Sequence, residues 1–556
     1  MMLAPVSIVI LTGIAALITE MLRPKQNNNV IVGVSLAGLS VAAISVFLQL
    51  GQPAERTFNG MILRDQFGLM IQLLLIGVCF VCFLFSEGYL RHKRIAYAEF
   101  YPLALWSTAG GMIMAGTSNM LMIFLGLEVL SISLYCLAGM SRNEQKSEES
   151  SLKYFLLGAF ASAFLLFGIS FFFGMSGSLE LENVMAAFIK GEDSLKTLGL
   201  FGSVLVIIGL GFKMALVPFH QWSPDVYQGA PTNVTAFMAA ASKAAAIAAL
   251  VRFLTAMAPV REFWMPILFA VAIATMLVGN FAALVQKDVK RVLGYSSIAN
   301  AGYLLVAIFA HVKYPDKIGL GTLVFFLMGY SFMTIGALAV VSTTAKSGNE
   351  GTTYQDLNGM FKRNPFAAGM LVLFMAGLIG IPPTAGFFGK LQIFQNALQT
   401  NLVPLAIVLG VTSAASVFYY LKIAVAAFVD DEGAVPAQTG SAGGGLKVAL
   451  ILCAAGTLVF GLFMTGMTDF IAGPNNGIMS RALPNAKAIE EAGPRGLRNK
   501  ATAEKPAAAA VPISLDTKPA ETTAPKIGDE LTTLGAANSQ PQPPVAEKKL
   551  LVPGVR

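Results

Sequence analysis

The chain has 556 residues, 55% of them hydrophobic and only 12% charged, with a mean hydropathy of +0.67. Soluble domains carry roughly 25% charged residues, so this composition excludes a soluble enzyme and points to an all-α polytopic membrane protein held in the lipid bilayer. The net charge of +7 is spread over short loops and a polar tail, with no basic helix and no aromatic-interleaved basic patch, which argues against nucleic acid as a partner.

Apolar runs long enough to cross a bilayer, about 20 residues each, recur at 3–22, 30–50, 66–87, 99–117, 119–139, 152–176, 198–217, 230–256, 264–286, 291–311, 318–345, 365–395, 402–428 and 447–472. That makes about fourteen transmembrane helices by the length rule. The first carries no early Lys or Arg and no small-residue cleavage site, so it reads as a retained span. Residues 1–472 therefore form one transmembrane domain. The segment 473–556 is rich in Ala, Pro, Lys, Glu and Thr, nearly lacks aromatics, and reads as a disordered tail. Between spans, 51–65 has the pattern of a short external hairpin, and 429–446 is Gly- and Ser-rich, a flexible loop.

Loops after odd-numbered spans carry about thirteen Lys and Arg, among them Arg23, Lys25, Arg91, Lys93, Arg94, Lys290 and Lys346; loops after even-numbered spans carry about seven. The positive-inside rule then places the odd side in the cytoplasm and both termini outside, the periplasmic side of a cell inner membrane.

Chemistry is expected from ionisable groups inside spans. A charged side chain at the bilayer centre costs on the order of 3 kcal/mol by insertion scales. Glu128 lies near the middle of FLGLEVLSISLYCLAG, and Lys213, in IIGLGFKMALVPF, is its expected partner in a proton-holding pair. The bland reading of Glu128 is a permanently protonated packing group. Lys243 lies too deep in its span to snorkel to an interface, about a dozen residues from either end at 1.5 Å per residue. Lys153 stands second in its span, where an interfacial snorkeller and a proton-site residue are equally good readings.

Pro218 interrupts the seventh span and is followed by His220, Gln221, Trp222, Ser223, Asp225 and Tyr227. Proline removes a backbone donor, and broken helices at membrane depth line cavities in transporters. His220 fits a proton relay or a polar cap at the break. The twelfth span breaks again at Pro382 and Pro383 and carries Lys390 beyond them, which suggests an internal repeat. Span ten offers Tyr295, Ser296, Ser297, Asn300 and Tyr303 as polar groups between the halves, a pattern that also serves as ordinary helix-packing glue.

The four cysteines all lie in apolar segments. Cys79 and Cys82 form a C-x-x-C without a second ligand pair, so a metal site or cluster is not expected. Haem-attachment, Walker A and dinucleotide motifs are absent from the sequence.

Taken together, FLGLEVLSISLYCLAG, SLKYFLLGAFASAFLLFG, GFKMALVPFHQWSPDVYQGAPTNVTAF, QKDVKRVLGYSSIANAGYLLVA and GIPPTAGFFGKLQIF resemble the antiporter-like subunit N family of proton-translocating NADH:quinone oxidoreductase, respiratory complex I. The resemblance covers about residues 1–472 and implies inverted repeats with discontinuous helices seven and twelve. It implies proton-translocation roles for Glu128, Lys153, Lys213, Lys243 and Lys390, and other membrane subunits of the complex as partners. It implies no cofactor in this chain, with NADH, FMN, iron-sulfur clusters and quinone bound by partner subunits. The Ala/Pro-rich tail departs from the family core. The alternatives are a sodium/proton antiporter subunit of the Mrp type and a structural spacer whose ionisable groups are idle.

Overall fold

Long apolar segments can satisfy their backbone polar groups in lipid only as helices or closed barrels, and the computed structural model of the chain is helical almost throughout. It describes residues 2–22, 28–95, 97–315, 317–345, 349–429 and 443–472. The 473–556 tail, most of the 429–446 loop, and Arg23, Lys25 and Lys346 lie outside the described residues. The helices are α1 (Ala4–Leu22), α2 (Asn29–Phe47), α3 (Gln66–Lys93), α4 (Phe100–Ala115), α5 (Met120–Ala138), α6 (Gln145–Ser176), α7 (Leu181–Lys190), α8 (Asp193–Met214), α9 (Trp222–Gly229) and α10 (Thr232–Ala256). The second half continues with α11 (Arg261–Leu284), α12 (Val289–Lys313), α13 (Gly321–Val341), α14 (Tyr354–Leu357), α15 (Met360–Arg363), α16 (Pro365–Ile379), α17 (Ala385–Gln399), α18 (Val403–Ala426), α19 (Gly444–Leu462) and α20 (Met464–Ala472).

Twelve helices among the described residues are long and apolar enough to cross a membrane. Of the fourteen expected spans, 99–117 forms a helix of only 16 residues, α4, and 365–395 divides into α16 and α17 of 15 residues each. The expected hairpin is present: β1 (Glu55–Thr57) pairs antiparallel with β2 (Ile62–Arg64), Arg56 opposite Leu63.

Without a hydrophobic drive between helices in lipid, close packing depends on small residues at the contacts. A Cβ on Gly110 of α4 would lie 2.6 Å from the Gly126 carbonyl of α5, and one on Gly202 of α8 would lie 2.9 Å from the Gly168 carbonyl of α6. These approaches hold α5, which carries Glu128, against α4, and α8, which carries Lys213, against α6, which carries Lys153. At the centre, α10 is buried along its whole length and α12 and α13 nearly so, whereas α1 and α2 leave most of their surface uncovered. Cys79 and Cys82 face the packed interior of α3.

One local device occurs twice. Asn119 caps α5, accepting from the backbone N–H of Leu121 and Met122, and bridges to Glu180 in the segment after α6. Asp288 caps α12, accepting from the N–H of Arg291, and bridges to Thr353 in the segment after α13. A polar N-cap satisfies donors that a helix start leaves open. Each capped pair is followed by a broken helix, α8/α9 in the first half and α16/α17 in the second. That order matches the internal repeat expected from the two proline breaks.

Candidate functional site

At the first break the chain leaves the helix through Ala215, whose φ is +58°, and residues 215–221 separate α8 from α9. The gap is bridged by a side chain: the Trp222 indole N–H donates to the Phe212 carbonyl at 2.9 Å, which also accepts from the Ala215 N–H in the last turn of α8. Lys213, in the last turn of α8, is 2% exposed. Its Nζ donates to Ser131 Oγ at 2.8 Å and to Tyr154 OH at 2.9 Å, and lies 5.0 Å from the centre of the Tyr154 ring. That ring stacks on Trp222 at 4.6 Å, so the lysine, its acceptor and the break form one packed unit.

The expected direct pairing of Glu128 with Lys213 is not made. Among the described residues the two form no ion pair, and Glu128 Oε1 is buried without a hydrogen-bond partner. Ser131, one turn beyond Glu128 on α5, takes the place at Lys213 that the carboxylate was expected to hold. A hydroxyl satisfies an ammonium donor without neutralising it, so Lys213 and Glu128 are neighbours across a gap.

Lys243 sits mid-way along α10, 2% exposed, and donates to the Ser297 carbonyl of α12. The Ser297 hydroxyl in turn meets Tyr227 OH of α9 at 3.2 Å. Six residues further along α12, the Tyr303 ring lies 5.7 Å from Lys390 Nζ, and Tyr303 OH approaches Thr412 at 3.4 Å and accepts from Asn280 at 3.1 Å. Ser296 of the same helix meets Tyr420 of α18. Helix α12 therefore touches Lys243 through Ser297 and Lys390 through Tyr303, at two separate points along its length.

At the second break Gly380 has φ +92°, a conformation that favours glycine, and Thr384 Oγ1 donates to the Ile381 carbonyl at 2.7 Å. Lys390, 8% exposed on α17, reaches back to donate to the Leu378 and Ile379 carbonyls at 2.7 and 3.1 Å. A cation at a helix C-terminus meets both the unpaired carbonyls and the negative end of the helix dipole. Lysine thus precedes the first break and follows the second, and each broken helix is tied across its gap by a side chain from its second half.

Two candidates stand apart. Lys153 lies in the third turn of α6, since that helix begins at Gln145 and not near 152, and its side chain is 42% exposed. It pairs with Glu149 at 2.6 Å and with Asp225 of α9 at 2.9 Å, and Asp225 also holds Arg291 of α12 at 2.6 Å. His220 lies in the break, half-buried, with Nδ1 enclosed and unpartnered; its carbonyl accepts from the Ser223 N–H at 2.9 Å.

Sequence reasoning missed an ionic cluster. Glu350, 8% exposed in the segment after α13, pairs with Lys93 of α3 and lies 3.4 Å from Lys290 of α12, both lysine side chains being fully buried. Tyr89 OH donates to Glu350 at 2.7 Å, Thr232 Oγ1 also donates to it, and Lys93 pairs with Glu144 at 2.9 Å. Lys93 and Lys290 entered the tally as loop charges; the fold buries them. No local pattern around Glu350 announces this, because its partners are Tyr89, Lys93, Thr232 and Lys290, far from it in the chain. A second buried pair, Arg252 of α10 with Asp65 at the start of α3, is closed by two hydrogen bonds of 2.6 and 2.9 Å.

Residues 117–416, which contain all these lysines except Lys93, match the family model described as NADH:quinone oxidoreductase/Mrp antiporter, TM. The chain is 37% identical over 467 residues to NADH-quinone oxidoreductase subunit N 1 of Solibacter usitatus, covering 84% of this chain and 95% of that protein. Subunit N of Trichlorobacter lovleyi matches with the same identity and coverage. Among solved structures, a chain of respiratory complex I from Thermus thermophilus with bound Aureothin is 33% identical with a TM-score of 0.71, over 84% of this chain and all of that one. A chain of the Mrp complex from Dietzia shares the fold at 21% identity and a TM-score of 0.73, over 87% of this chain and 99% of its own. Two broken helices with a lysine at each, and relatives matched over nearly their full length, lead to one conclusion: the chain belongs to the NADH:quinone oxidoreductase/Mrp antiporter family and, within it, to the subunit N proteins of NADH-quinone oxidoreductase.

Proposed function

We propose that this chain moves protons across the inner membrane as a subunit of an NADH:quinone oxidoreductase, driven by electron transfer from NADH to quinone in partner subunits. The observation that carries the reading is that α12 touches two buried lysines, Lys243 bonded to the Ser297 carbonyl at one point and Lys390 beside the Tyr303 ring at another, with a broken helix at Lys213 and at Lys390. In this reading Lys213 and Glu128 form the switchable pair, Lys243 is the central carrier and Lys390 hands protons onward. Lys153 tunes the entrance through Asp225, and His220 acts in the first break. FMN, iron-sulfur clusters, NADH and quinone belong to the partner subunits. The loop charges support a cytoplasmic odd side and external termini.

Moving one charge against about 100 mV requires about 2.3 kcal/mol, and one pKa unit is about 1.4 kcal/mol. A modest shift in the pKa of a lysine is therefore of the right size to load and release a proton. The test is a mild-detergent pull-down followed by NADH:quinone assay and proton pumping in vesicles. Flavin- and cluster-bearing subunits should co-purify, and Lys213→Ala or Glu128→Ala should lower quinone reduction and pumping together. Normal pumping in both variants would overturn the residue roles. The fold shared with the Mrp chain favours a second reading, a sodium/proton antiporter, and sodium-dependent proton flux without NADH is the result that would select it.

A further inference from the structure

Two cavities lie end to end over α3. One, of about 460 Å³, is bounded by α2, α3, α13 and Phe460 of α19, and its lining is apolar apart from Ser40 and Ser331. The other, of about 690 Å³, surrounds the last turns of α3, where Glu87, Arg91 and His92 meet Ser342 and Thr343. The two share a single stripe of α3, because Leu73, Gly77, Phe80, Leu84, Gly88 and Arg91 recur at steps of three and four residues. On α2, Asn29 and Val32 line the polar end and Leu39 and Ala43 the apolar end.

The floor is kept open by glycine. A Cβ at Gly77 or Gly88 would meet nothing within 4 Å, unlike the glycines that hold α4 to α5 and α6 to α8. These two therefore serve no helix contact within the chain. Phe47 of α2 stacks on Phe470 of α20 with ring centres 6.4 Å apart. Along α3 the two cavities together span about 27 Å, from Leu73 to Arg91, at 1.5 Å per residue, with Gly445 of α19 packed against Leu84 where they meet. One leaflet, half the hydrocarbon core plus its headgroup layer, is about 20–22 Å deep.

We propose that this groove binds a phospholipid whose headgroup carries both phosphate and ammonium, with an acyl chain over Gly77 and the headgroup beside Gly88. The change from apolar to polar lining along one helix face matches an amphipathic ligand standing in a leaflet. At the polar end, Arg91 Nη2 lies 3.0 Å from Glu87 Oε1, and Tyr101 OH donates to Glu87 Oε2 at 3.0 Å. Arg91 and His92 offer cationic and N–H groups to the phosphate, and Glu87 offers a carboxylate to the ammonium. None of the proton-transfer lysines lies in the groove, so failure here leaves the proton reading intact.

The test places the intact complex in nanodiscs of phosphatidylethanolamine with dibrominated acyl chains and locates bromine by electron cryo-microscopy. Strong bromine density beside Gly77 and phosphate density beside Arg91 are expected. Gly77→Leu, whose Cβ has open space around it and which favours helix, should abolish the bromine peak while the subunit still co-purifies, and Arg91→Ala should weaken the phosphate density. Brominated phosphatidylglycerol, which lacks the ammonium, should give several-fold weaker density; equal density would overturn the headgroup assignment. Bromine no stronger in the groove than around the open perimeter, or a helix of a neighbouring subunit in it, would overturn the site.

Discussion

A buried lysine must have its ammonium donors met or its charge removed, and each central lysine here meets that demand differently. Lys213 uses two hydroxyls and an aromatic face, Lys243 a helix carbonyl, and Lys390 the open end of a half-helix. Hydroxyl and carbonyl partners leave the proton transferable, whereas a close carboxylate would hold it. Lys243→Met keeps the bulk and removes the proton. It should lower NADH-driven pumping by about a hundredfold, the low end of what a positioned proton-transfer group contributes, with assembly unchanged on native gels. Glu350 behaves differently, since it compensates two fully buried lysines. Removing one partner of a buried ion pair destabilises by about 3–5 kcal/mol, so Glu350→Ala should lower the melting temperature of the complex or its content of this subunit, and Glu350→Gln should do so less. Equal stability of wild type and Glu350→Ala would show that the cluster carries no stability. The depth of Lys213, Lys243 and Lys390 was legible from hydropathy alone. Their partners were not, because Ser131, Ser297 and the Leu378 carbonyl are ordinary helix residues until two helices cross.

At the scale of elements, proline signalled both broken helices, while glycine sets how closely their parts approach. A Cβ on Gly386 of α17 would lie 1.9 Å from the Gly377 carbonyl of α16, and one on Gly461 of α19 would lie 1.8 Å from the Pro383 carbonyl. Gly386→Ala should therefore separate the two half-helices and lower pumping, although it leaves the Lys390 side chain intact. Electron cryo-microscopy of the variant should show the α16–α17 gap widened; an unchanged gap with normal pumping would contradict this account. The α5 and α12 caps show what a local reading can reach. Asn119 and Asp288 are recognisable cap residues before apolar runs, but their bridges to Glu180 and Thr353 join segments about sixty residues apart and depend on helix pairing. Likewise, α6 begins at Gln145, seven residues before the hydropathy edge, because SEESS is polar enough to leave the membrane and still continues the helix.

For the whole molecule, orientation is a matter of loop charge, and it yields a direct experiment. A periplasm-dependent alkaline phosphatase fused after residue 472 should be active, and the same reporter placed in the loop after α3 should be inactive; the reverse pattern would invert the assignment. The sequence by itself determined the membrane class, the approximate spans, the two breaks and the depth of the central lysines. Those follow from residue identity and spacing, because transfer into lipid and the loss of a proline donor are properties of each segment alone. Only the tertiary structure decided that Glu128 makes no ion pair with Lys213, that α12 touches both Lys243 and Lys390, and that Lys93 and Lys290 converge on Glu350. Those facts depend on which faces of separate helices meet, and a face becomes a neighbour only when glycine contacts and caps have fixed the crossings.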